Sequence, residues 1–243
     1  MPRNRSIIGV IGGNEVDSDS VELAKGIGAA ITHAGSILLT GGRIKESRNV
    51  KDAAMRGAAN AEREGVIARL IGILPAGDPR RWPEPSNRFF LRTGLKSEER
   101  DLIVGVTPDA VLVLGGDAGT LCELGFALAA GKIVLFANSV KKLRKKLQAA
   151  EVREKLETYF CTAIAKYPNV PLVGLTSTCL MELVQAALNS SDEGGNSSYI
   201  VNRATALVTD RGLSERSGFP GLPSIGIDKS KTDFEQLLRH VAG

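Results

Sequence analysis

Three glycine doublets fall where apolar runs end: Gly12-Gly13 after SIIGVI, Gly41-Gly42-Arg43 after SILLT, and Gly115-Gly116-Asp117-Ala118-Gly119-Thr120 after AVLVL. Glycine permits positive φ and lets a backbone N–H approach an oxygen with no β-carbon in the way. A helix opening behind such a loop adds unpaired N–H groups and a partial positive end. A phosphate is the natural guest, and Asn14 lies in the first of these loops. Glu123 follows Thr120 by three residues, so its side chain leans back toward the rim of the third loop. The same T-x-x-E spacing is also a capping box, and residue types alone leave both readings open. Arg100, in SEERDLIVGV, can carry a guanidinium to this edge or pair on the surface with Glu98 or Glu99.

Two common phosphate-binding motifs are excluded. The first loop offers no third glycine for G-x-G-x-x-G, and Thr40 stands where a dinucleotide site wants an acidic residue at the end of the second strand. The third loop lacks the Gly-Lys-Ser/Thr that closes a P-loop. The three cysteines, Cys122, Cys161 and Cys179, have no zinc spacing, and the two histidines, His33 and His240, lack the setting of a triad base. No metal is expected.

Elements that could position these loops follow from periodicity. Strand-like runs at 6–11, 36–40, 70–74, 110–114, 133–136 and 172–175 alternate with helical spacing at 20–33, 50–64, 97–106, 120–130, 139–166 and 178–189. Such alternation predicts an α/β fold: a doubly wound, Rossmann-like parallel sheet whose strand-to-helix loops share one edge. The 243 residues suffice for one large α/β domain with a real core. Linker composition at 190–198 divides a phosphate- or nucleotide-binding domain, 1–189, from a C-terminal extension, 199–243, of unknown role. PAGDPRRWPEPSN, after Leu74, is a lid or spacer whose Arg80 and Arg81 are weaker phosphate candidates, as is Arg43. No apolar run approaches a bilayer span and the start shows no signal-peptide pattern, so the expected compartment is the cytoplasm. A net charge of +4 suits an anionic small ligand and falls short of a nucleic-acid footprint. In Lys141 to Lys146, KKLRKK, the spacing of Val140, Leu143 and Leu147 predicts lysines on a solvated face, with an RNA or acidic-partner patch as the alternative.

IGVIGG, LLTGGR, RGAANAEREG, IGILP, TGLKSEER and LGGDAGTLCELGFALAAGK together resemble the Lonely Guy, or "lysine decarboxylase-like", superfamily over roughly residues 6–188. The resemblance implies a phosphoribohydrolase that cleaves nucleoside 5'-monophosphates to free base and ribose 5-phosphate, with Arg100 and Glu123 as the catalytic pair. It places phosphate and ribose contacts on the glycine loops, requires no cofactor, and implies a homodimer or tetramer. An ionised carboxylate can stabilise an oxocarbenium-like ribose without histidine or metal. Lysine decarboxylation, by contrast, needs an electron sink that nothing in the sequence sets up. Three departures stand out: Leu114-Gly115-Gly116 replaces the Pro-Gly-Gly of the hydrolases, Asp101 replaces a common Asn, and IKESRNVKDAA replaces a shorter Gly-rich loop with Met. The branch without the proline resembles the molybdenum cofactor carrier proteins. In that alternative the molybdenum cofactor, or a related pterin phosphate, is a bound ligand and no turnover is needed.

Overall fold

Apolar side chains on both faces of the strands build the sheet, because helices cover it on either side. The computed structural model describes residues 5–42, 49–78, 88–137, 140–167 and 176–190. Six strands, β1 (Ile7–Gly12), β2 (Ile37–Thr40), β3 (Leu70–Leu74), β4 (Arg88–Arg92), β5 (Ala110–Leu114) and β6 (Ile133–Phe136), pair in parallel in the order β4-β3-β2-β1-β5-β6. The helices are α1 (Ser18–His33), α2 (Val50–Arg63), α3 (Ser97–Val106), α4 (Ala118–Ala129), α5 (Lys141–Gln148), α6 (Ala150–Lys166) and α7 (Ser177–Ser190). The expected doubly wound α/β fold is present.

Alternation along the strands divides the core in two. Ile8, Val10, Leu38, Leu112 and Leu114 pack with Ile27, Ile31 and Met55 of α1 and α2. On the opposite face Ile11, Leu39, Val111 and Val113 meet α3, α4, α6 and α7 through residues such as Leu102, Leu121, Phe126, Phe160 and Val184. Phe126 and Phe160 cross edge to face with centroids 5.4 Å apart. β1 lies at the centre, with β2 on one side and β5 on the other, where the order of strands reverses. Such a switch point separates neighbouring loops and opens a crevice at the carboxyl ends of the strands. Asp109 locks this pairing at its other end: the Ile7 N–H donates to its carboxylate at 2.8 Å, and its own N–H donates to the Ile7 carbonyl at 2.8 Å.

The structure departs from the sequence reading at several elements. β4, RFFLR, directly follows the Pro-rich loop and pairs with β3. It is an edge strand with Phe89 60% exposed, so it lacks the buried run that identifies the others. The single helix expected over 139–166 is two, because Ala149 takes an extended conformation, ψ 126. Its N–H donates to the Lys146 carbonyl while its own carbonyl accepts from Arg153, so one residue ends α5 and starts α6. The strand expected at 172–175, Arg43, Arg80, Arg81 and His240 lie outside the described residues, as do nearly all of the 190–198 linker and the 199–243 extension. Among the described residues, no helix is long and apolar enough to cross a membrane.

Candidate functional site

The start of α2 is fixed to the switch point. Asn49 caps it by accepting from the Asp52 N–H at 2.7 Å, and the Val50 N–H donates to the Gly13 carbonyl at 3.1 Å. A β-carbon on Gly12 would stand 2.5 Å from the Leu114 carbonyl oxygen and 2.8 Å from Val50, so this glycine permits close packing of β1, β5 and α2. In the third loop Gly115 and Gly116 have positive φ, 55° and 126°, and turn the chain from β5 into α4.

A cavity of about 300 Å³ opens over these elements, at the lower end of the usual range for small-molecule sites. Gly12 and Asn14 from the first loop, Asp117, Gly119 and Thr120 from the third, and Arg100 and Glu123 line it. Thus the structure gathers seven of the sequence candidates around one space. The other described candidates stand behind or beside it. The Gly13 N–H approaches the Leu114 carbonyl at 3.4 Å, and the Gly42 N–H donates to Thr40 Oγ1 at 2.9 Å, so these two amides are engaged within the fold. Gly41 turns its carbonyl, rather than its N–H, toward Arg100.

Arg100, Asp101 and Glu123 form the floor and are 4%, 4% and 1% exposed. Arg100 Nη1 donates to the carbonyls of Gly41 at 3.0 Å and Ile73 at 2.8 Å, which joins the ends of β2 and β3 to α3. Its Nη2 lies 3.6 Å from Asp101 and 4.0 Å from Glu123. The alternative surface pairing with Glu98 or Glu99 is therefore corrected: Glu99 instead accepts from the Lys96 N–H at the start of α3. The capping reading of Glu123 is also corrected, because α4 begins at Ala118 with Asp117 as its N-cap and places Thr120 inside the first turn. Neither Glu123 carboxylate oxygen has a hydrogen-bond partner among the described residues. A buried carboxylate with unused acceptors beside a cavity is available for a ligand.

Burial pushes the Asp101 carboxyl well above the usual carboxylate range, and the neighbouring Glu123 pushes it further; Arg100 and Lys51 oppose both. These influences favour the protonated form of Asp101. Burial likewise raises the Cys122 thiol, which suits a structural role rather than a reactive one.

Sequence reasoning missed several wall residues. Lys51 of α2 lines the cavity and is 7% exposed. Its sequence signal was weak, since lysine is seldom buried. Val152, Lys155 and Tyr159 of α6 form another wall. Lys155 is paired with Glu151 at 2.5 Å, and burial raises the Tyr159 phenol. The lysine run on α5 is exposed, as its spacing requires, yet two members make specific contacts. Lys142 pairs with Asp17 at 3.3 Å, and Lys146 Nζ donates to the Gly116 carbonyl at 2.7 Å.

The family model described as the SLOG cluster4 family matches residues 5–166, in agreement with the resemblance carried by the glycine loops. An uncharacterised protein of Archaeoglobus fulgidus is 31% identical over 130 residues, which are 52% of this chain and 76% of that protein. The molybdenum cofactor binding protein from Rippkaea orientalis is 31% identical with a TM-score of 0.46, covering 55% of this chain and 76% of its own. The Moco carrier protein from Chlamydomonas reinhardtii is 32% identical with a TM-score of 0.47, again covering 55% of this chain and 76% of its own.

Proposed function

The chain belongs to the SLOG cluster4 family, and from that premise we propose that it binds a phosphorylated, nucleotide-like small molecule at the β1–β5 switch point and cleaves its N-glycosidic bond. One observation carries the reading: Glu123 is 1% exposed on the floor of a cavity, and neither of its oxygens accepts a hydrogen bond from a described residue. In the unliganded protein such a carboxylate is poorly solvated. Ribose hydroxyls supply the missing donors, and the positive charge that develops at C1' as the base departs strengthens the attraction. The bond from C1' to the base nitrogen breaks with its electron pair leaving on the base. Water then adds its oxygen to C1', and its proton offsets the charge on the departing base.

Arg100 orients this floor. Two carbonyl contacts fix its guanidinium, whose Nη2 stands 3.6 Å from Asp101 and 4.0 Å from the Glu123 carboxylate. Asn14 and the open amides at the start of α4 offer polar contacts, while Val152 and Tyr159 offer an apolar wall to the base. The products are the free base and ribose 5-phosphate.

Purified protein incubated with AMP and other nucleoside monophosphates, followed by chromatography of the free base, tests this directly. Glu123→Gln abolishes base release and leaves binding of the monophosphate intact; unchanged turnover in that variant refutes the role given to the carboxylate.

Asp101 favours a second reading. A second buried carboxyl on the same floor as Glu123 adds oxygen groups for hydrogen bonding and suits retention of a polar, hydroxyl-rich ligand without turnover. Under this reading the chain carries a phosphorylated pterin such as the molybdenum cofactor as cargo. No base release from any monophosphate, with cofactor retained through gel filtration, selects it.

A further inference from the structure

We propose that Lys51 is the cationic anchor for the ligand's phosphomonoester, which it holds together with the first free amides of α4. The inference deepens the ligand-binding part of the reading above and is independent of turnover.

Lys51 is the second residue of α2, and its position is set by the Asn49 cap and by the Val50 contact with the Gly13 carbonyl. Its aliphatic stem runs beneath the second glycine loop, with Cδ 3.2 Å from where a Gly41 β-carbon would stand. The side chain is 93% buried by its 7% exposure and lines the cavity, yet its ammonium makes no hydrogen bond or ion pair with any described residue. The residue is mostly buried and its ammonium meets the confined space of the cavity, where a ligand that brings negative charge gains a charge-assisted contact.

The rest of the floor does not supply that charge. Arg100 lies against Glu123 at 4.0 Å and offsets its carboxylate. Burial disfavours a negative charge on Asp101. Lys155 lines the same cavity but is exposed and engaged with Glu151. Among the described residues that line the cavity, Lys51 is therefore the mostly buried cation with no hydrogen bond or ion pair. Across the cavity α4 opens without a side-chain cap on its N-terminal amides, and Gly119 and Thr120 line the same space. A phosphomonoester, with a charge of about −1.5 to −2 near neutral pH and three acceptor oxygens, matches an ammonium on one side and backbone N–H groups on the other.

Calorimetric titration of the full chain with ribose 5-phosphate, inorganic phosphate and ribose, repeated on Lys51→Met and Lys51→Arg, tests the assignment. Lys51→Met weakens ribose 5-phosphate on the order of 30-fold or more and leaves ribose unchanged, whereas Lys51→Arg recovers most of the loss. Added phosphate also raises the melting temperature of Lys51→Met less than that of the wild type. The assignment is overturned if the wild type binds neither ribose 5-phosphate nor phosphate, or if Lys51→Met weakens ribose and ribose 5-phosphate alike. A parallel AMP assay separates the two proposals: phosphate binding that depends on Lys51 without base release sinks the hydrolase alone, and base release with a KM unmoved by Lys51→Met sinks the anchor alone.

Discussion

Gly28 of α1 and Gly57 of α2 each press against the backbone of the other helix: a β-carbon on Gly28 would stand 1.9 Å from the Ala54 carbonyl oxygen, and one on Gly57 1.9 Å from that of Lys25. The contact is reciprocal and leaves no flexible side chain to move aside. It sets how deeply α2 lies on the sheet, and α2 carries Lys51 into the cavity.

Alanine at either position forces the helices apart. Gly28→Ala or Gly57→Ala destabilises the protein on the order of 3 kcal/mol in urea denaturation, since both helices must shift. Gly26→Ala, two residues earlier on the exposed side of α1 and facing open space, stabilises it by about 0.5–1 kcal/mol through helix propensity. Equal effects at Gly26 and Gly28 would contradict the close approach.

The third loop makes the same kind of demand at the site itself. Gly116 has φ 126°, and a β-carbon there would lie 2.2 Å from Thr120 Oγ1. Gly115 has φ 55° but faces open space. Gly115→Ala therefore carries only the left-handed backbone penalty of about 1–2 kcal/mol. Gly116→Ala adds a steric clash inside the first turn of α4 and weakens ribose 5-phosphate at least ~10-fold beyond Gly115→Ala, a loss of about 1.4 kcal/mol. Titration of the two variants side by side checks the order.

Asp101 predicts a definite dependence of stability on pH. Its carboxyl is raised above the ordinary 3.8, first by burial and then by Glu123, with Glu98 adding and Arg100 and Lys51 opposing. The folded protein thus holds a proton that the unfolded chain releases earlier. Its stabilising contribution is complete below the ordinary carboxylate value and is lost as pH rises through the raised one. Asp101→Asn removes this dependence, so the variant gains on the wild type as pH increases from acid toward neutral and beyond. Urea midpoints measured across that range decide the matter; a difference that does not change with pH refutes it.

The sheet and the third loop were legible because their signals are local. Five strands show unbroken apolar runs, and α3 spans Ser97–Val106 as its spacing predicts. The glycine doublets marked the loops at the switch point, although packing rather than anion contact requires Gly12. What escaped depends on neighbours distant in sequence. Arg88–Arg92 becomes a strand through pairing with β3. Lys51 becomes a site residue because the Gly13 loop holds α2 against the sheet. The capping spacing of Thr120 and Glu123 was real in sequence, but the helix starts two residues earlier, and so the carboxylate makes no capping hydrogen bond.

The mutual hydrogen bonds of Ile7 and Asp109 join residues 102 positions apart. They belong to the β1–β5 pairing on which the cavity stands. A nascent chain that has emerged only as far as β4 already contains Gly12, Asn14 and Lys51, but half the site has yet to be synthesised. During that interval one side of β1 waits as an open strand edge, and closing the long loop to β5 is an entropically slow step. Ligand capture is consequently a late event in the life of each new molecule, reserved for chains in which the two halves of the sheet have already met.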